Sequence, residues 1–85
     1  MNGYCIMRYD LDMDGNEVSG QCLCGSTSKR KLQKKLNSIA ESERRFLGAE
    51  EELFDYGDQI VIRFNGSNGS EIDGCRFIIE YLDIL

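Results

Sequence analysis

Met7-Arg8-Tyr9-Asp10-Leu11-Asp12-Met13-Asp14-Gly15-Asn16-Glu17-Val18-Ser19-Gly20-Gln21-Cys22 decides the reading of the fold. Asp14-Gly15 signals a two-residue hairpin turn, because both central positions of a type I′ turn need positive φ. A turn there sets Leu11 opposite Val18, Tyr9 opposite Gly20, Met7 opposite Cys22 and Cys5 opposite Cys24, all on one apolar face. The other face pairs Asp12 with Glu17, Asp10 with Ser19 and Arg8 with Gln21. Side chains alternate along a strand, so a one-residue slip would exchange the two faces. Residues 4–24 are therefore expected to form a β-hairpin. Ile6 and Leu23 are the exceptions, falling on its polar face near the open end.

Downstream of the hairpin, Gly25-Ser26-Thr27-Ser28 is a loop rich in capping residues, and a helix follows from Lys29. Leu32, Leu36, Ile39, Ala40, Phe46 and Leu47 recur at steps of three and four, interrupted only by Glu43. The same phase runs on to Leu53 and Phe54. One helix over 29–56 would be ~42 Å long and would overhang a domain whose radius of gyration is ~12 Å. The expectation is a bend or break at Gly48, a short second helix, and a stop at Gly57. Residues 58–65 alternate as a strand, and 66–70 form a turn. Residues 75–85 fit both a strand and a helix face; consecutive β-branched residues after a glycine-rich turn favour the strand.

The order is then β-β-α-(α)-β-β. That predicts an α+β fold: a four-stranded, mostly antiparallel sheet with a kinked or broken helical segment on one face. The 85 residues allow a single domain, 1–85. Ile78, Leu82 and Ile84 would point away from the helix, joined by Ile6 and Leu23. An apolar patch on the sheet's back is a candidate partner surface or homodimer contact.

The composition narrows the functional classes. The chain contains no histidine, which removes the usual proton-transfer group near neutral pH and every Ser-His or Cys-His nucleophile pair. An enzyme is not expected, and no cofactor. Met1 to Tyr9 lacks a basic start and a continuous apolar run, and no stretch approaches the ~20 apolar residues of a membrane span. The expected location is the cytoplasm, or the host cytoplasm for a phage-encoded chain, with no membrane partner. Cys5, Cys22, Cys24 and Cys75 then read as reduced thiols, and the sequons at Asn65 and Asn68 as unused.

Charge is segregated. The formal net charge is −5, from 10 basic and 15 acidic residues. Lys29, Arg30, Lys31, Lys34 and Lys35 crowd the start of the helix, where its dipole disfavours cations. Glu80 or Asp83 is expected to lie near them. Glu41, Glu43, Glu50, Glu51, Glu52, Asp55 and Asp58 follow, against only Arg44 and Arg45. Carboxylates held along a rigid helical segment imitate nucleic-acid phosphates and dock on a basic groove, steered by long-range attraction. These seven acids are the candidate partner-binding residues. The acidic total disfavours direct contact with nucleic acid.

Two metal readings compete. Asp10-Leu11-Asp12-Met13-Asp14-Gly15 opens like a calcium loop, but Gln21 stands where the bidentate glutamate belongs. Cys22-x-Cys24, with Cys5 opposite and Cys75 elsewhere, could supply thiolates for zinc, on a spacing weaker than a C-x₂₋₄-C knuckle.

The leading expectation is a non-catalytic acidic binding or inhibitory protein that engages a basic, nucleic-acid-binding protein surface. In size and charge the chain is similar, as a class, to phage-encoded inhibitors of host defence, including anti-CRISPR proteins and nucleic-acid mimics, and to bacterial immunity proteins. The alternatives are a small metal-binding module and a dimerising subunit of a complex.

Overall fold

A computed structural model describes residues 2–48, 51–64 and 74–83. The expected hairpin is β1 (Asn2–Leu11) against β2 (Glu17–Ser26), antiparallel. Its middle keeps the expected register: Met7, Arg8, Tyr9 and Asp10 face Cys22, Gln21, Gly20 and Ser19. Two bulges flank this stretch. Leu23 is inserted between the partners of Ile6 and Met7, and Val18 between those of Asp10 and Leu11. Cys5 therefore faces Gly25 rather than Cys24, and Leu11 faces Glu17 rather than Val18. The inserted Leu23 brings Cys24 opposite Ile6 and is itself left 40% exposed.

The hairpin tip is longer than a two-residue turn. The Gly15 N–H donates to the Asp12 carbonyl (3.0 Å), and the Asp12 N–H to the Asn16 carbonyl (2.9 Å). Gly15 has φ +82°, while no non-glycine residue described has positive φ. The Asp12 carboxylate accepts from the Asp14 and Asn16 N–H groups, both at 2.9 Å. With those donors satisfied, one left-handed residue is enough to close a three-residue loop.

Helix α1 (Lys29–Arg45) starts at Ser28, whose hydroxyl accepts from the Lys31 N–H. It ends with the Phe46 N–H donating to the Glu43 carbonyl. Arg44 and Arg45 occupy its last turn, where cations suit the dipole. The expected second helix does not form. Residues 51–55 are a strand instead, β3 (Glu51–Asp55), paired antiparallel with β4 (Gln59–Phe64). Gly57 (φ +91°) is the turn residue of that hairpin, not a helix stop; its N–H donates to the Asp55 carboxylate (2.9 Å), and the Tyr56 N–H to the Gln59 carbonyl (2.9 Å). Leu53 and Phe54 match a helical phase and a strand's alternation equally, and pairing Leu53 with Ile62 satisfies a whole backbone edge.

The ambiguous C-terminal segment is the strand β5 (Gly74–Asp83). Among the described residues the fold is thus α+β with one helix and five strands, not four, in the order β2-β1-β5-β4-β3, every pairing antiparallel. β5 inserts between the two hairpins. The expected 66–70 turn and Ile84 lie outside the described residues, as does the side chain of Leu82.

Leu32, Leu36 and Ala40 of α1 pack with Ile6, Ile60, Ile62, Cys75 and Phe77. Ile6 and Leu36 have no exposure. Ile6 therefore points towards the helix, not away from it. The hairpin face expected to be covered, carrying Met7, Tyr9 and Leu11, is on the sheet's back with Ile78. The Arg8 guanidinium lies 5.7 Å from the centre of the Phe77 ring. The molecule measures 43 × 25 × 17 Å, the thin dimension being one sheet and one helix.

Candidate functional site

The acidic candidates divide between two elements. Glu41 and Glu43 are on α1, Glu51, Glu52 and Asp55 on β3, and Asp58 in the turn after it. Glu50 lies outside the described residues. The Arg44–Asp55 ion pair (3.8 Å) and the Gln33 amide donating to the Gly57 carbonyl set one flank of α1 beside this hairpin. Glu41, Glu52, Asp55 and Asp58 are exposed, and Glu43 and Glu51 half-buried. The expected rigid helical row is thus replaced by an acidic margin shared between a helix and an edge strand. On β3, alternation sends Glu51 and Glu52 to opposite faces. Among the described residues, Asp55 is the only one of these acids with an ion-pair partner. That pair is exposed and adds little to stability.

Lys29, Arg30, Lys31, Lys34 and Lys35 are all exposed. None has a carboxylate within ion-pair distance among the described residues. Glu80, expected nearby, is on the other side of the sheet, where its carboxylate accepts from Tyr9.

The metal readings lose their geometry. The bulge at Leu23 sets Cys24 opposite Ile6, facing the helix, while Cys22 pairs with Met7 on the back. Cys5 shares the back with Cys22, and Cys75 sits in the core. All four cysteines are free thiols. Burial pushes the Cys5 thiol up, with Cys22 adding to it, and burial raises Cys75 to about 11 against a smaller opposing effect of Arg8. No group of three or more histidine, cysteine or acidic side chains is placed to hold a metal among the described residues. At the calcium-like loop, the Asp12 Oδ1 accepts both of the turn's N–H groups, from Asp14 and Asn16.

The back of the sheet carries a polar network the sequence did not reveal. The Tyr9 hydroxyl donates to Glu80 (2.6 Å), and Arg76 to Glu17 (2.7 Å). The Tyr9 ring covers Gly20, where an added Cβ would come within 2.8 Å of it. The Glu80 hydrogen bond, with burial adding to it, pushes the Tyr9 hydroxyl up to about 12. A bond donated by the neutral phenol is present below the unfolded value near 10 and is lost as pH rises through 12. Wild-type stability is therefore expected to fall more steeply than that of Tyr9→Phe between pH 10 and 12. Urea midpoints of the two proteins across that range test this; parallel curves would remove the Tyr9–Glu80 bond from the account.

Among the described residues, an open depression of about 190 Å³ lies between Arg8, Asp10, Ser19, Gly20 and Gln21, and another of about 140 Å³ beside Arg63 and Arg76. Among the described residues, no helix is long and apolar enough to cross a membrane. No protein-family model, curated protein or solved structure matches this chain.

Proposed function

We propose that the chain is a non-catalytic acidic binding protein that engages a basic protein surface, of the kind that otherwise binds nucleic acid. A phage-encoded anti-defence (anti-CRISPR-like) inhibitor or an immunity protein would work in this way. The observation that carries the reading is the acidic margin: Glu41, Glu52 and Asp58 are exposed and have no ion-pair partner among the described residues. Fixed carboxylates raise the encounter rate with a cationic surface and are desolvated only on docking. Lys29, Arg30 and Lys34 lie within a turn of Gln33, whose amide reaches the Gly57 carbonyl beside Asp58, but none is within ion-pair distance of a carboxylate among the described residues.

The test is capture from a lysate on the immobilised protein. The reading expects basic nucleic-acid-binding proteins, released by salt and displaced by duplex DNA. Glu41→Lys, Glu52→Lys and Asp58→Lys together should reduce capture at least tenfold. Unchanged capture by the triple variant would reject the proposal.

A second reading has its own support. β3 is an outer strand of the sheet, and charged side chains on outer strands deter strand addition by other chains. If Glu52 and Asp55 serve only that purpose, Glu52→Gln with Asp55→Asn will aggregate faster while capture is unaltered.

A further inference from the structure

We infer that the sheet's uncovered back is the interface of a homodimer, each copy closing the other's open face. The strand registers lay out that face in rows. Cys22, Met7, Ile78 and Gln59 form one row across four strands, and Gly20, Tyr9, Arg76, Val61 and Phe54 form the next across five. Outside them run Gly25, Cys5 and Glu80 on one side, and Glu17, Leu11, Gly74, Arg63 and Glu52 on the other. Met7, Tyr9, Ile78, Val61 and Phe54 thus form an apolar band around Arg76, with Cys5 and Leu11 already buried beside it and Glu17, Glu52, Glu80 and Arg63 in the flanking rows.

Charge selects a second copy as the occupant. The rows contain Arg63 and Arg76 against Glu17, Glu52 and Glu80, nearly balanced on a chain whose total is −5. A strongly basic or acidic partner finds no complement there, whereas an identical face does. Of the unpaired acids proposed to bind a basic partner, Glu41 is on α1 and Asp58 in the β3–β4 turn, while Glu52 is at the outer edge of this face, paired across the strands with Arg63. The internal pairs Tyr9–Glu80 and Arg76–Glu17 satisfy polar groups before the face is covered. One donor is left over: the Arg76 Nε is shielded and has no acceptor among the described residues.

The 43 × 25 Å outline limits the face to on the order of 1,000 Å² per copy, enough to hold the ~800 Å² of a standard interface. Sheets packed in this way interleave their inner side chains into a core ~10 Å thick.

The experiment is sedimentation equilibrium on the full chain. A mass near twice 9.7 kDa is expected, falling to the monomer in Ile78→Glu. Phe46→Glu, at an 80% exposed position after the helix, should remain dimeric. Alkylation of wild-type Cys22 covers the case in which Ile78→Glu fails to fold. Cys22 is exposed in the single chain, so its labelling should be at least fivefold slower in concentrated than in dilute protein. A wild-type monomer at all concentrations would overturn the inference. So would a dimer that persists in folded Ile78→Glu, or Cys22 labelling independent of concentration.

Discussion

Gly74→Ala should destabilise the protein by on the order of 3 kcal/mol or more, the largest effect expected of any single methyl group here. Gly74 is buried at the start of β5 and pairs with Arg63 of β4. A Cβ there would strike the Ile62 carbonyl oxygen, a backbone atom that cannot rotate aside. Relief requires β4 and β5 to part, at the seam joining the β3–β4 hairpin to the rest of the sheet. Total stability for a chain of this length is about 4–13 kcal/mol, so such a loss approaches unfolding. Gly48→Ala is the control. Its Cβ would meet only the Glu51 side chain, at an ordinary 3.5 Å, and should cost less than about 0.5 kcal/mol. Urea midpoints of both variants decide the matter; equal midpoints would mean the two strands are not packed as described.

Leu36→Ala should cost about 3 kcal/mol, from lost burial and from the cavity left behind. Leu36 has no exposure and is at the middle of the α1 stripe, in one cluster with Ile6, Ile60, Ile62 and Phe77. Phe46→Ala, the removal of a larger apolar side chain from the same sequence pattern, should cost less than about 0.5 kcal/mol, because Phe46 is 80% exposed. A Leu36→Ala protein within 1 kcal/mol of wild type would place the helix on a different face of the sheet.

The hairpin and the helix were legible because each repeats a local rule. The four pairs from Met7–Cys22 to Asp10–Ser19 follow from alternation on either side of a turn, and Leu32, Leu36 and Ala40 from helical spacing. The bulge at Leu23 was legible as a misfit at Ile6 and Leu23, and the one at Val18 left no trace in the pattern. β3 was not legible: Leu47, Leu53 and Phe54 continue the helical phase, and only the vacant edge of β4 makes extended backbone the better solution. Of the candidate acids, exposure could be anticipated for Glu41, Glu52, Asp55 and Asp58. Their division between a helix and an outer strand could not, because it depends on β3.

By itself the sequence determined what is local: an α+β composition, the β1–β2 pairing, the Ser28-capped helix, the separation of charge along the chain, and the lack of histidine chemistry. Tertiary structure alone decided which side of the sheet the helix covers and where β5 inserts. The physical reason is that both faces of β1 carry apolar residues, Ile6 on one and Met7, Tyr9 and Leu11 on the other. The choice between them is made by β4 and β5, whose Ile60, Ile62, Cys75 and Phe77 complete a core with Leu36 on one side only.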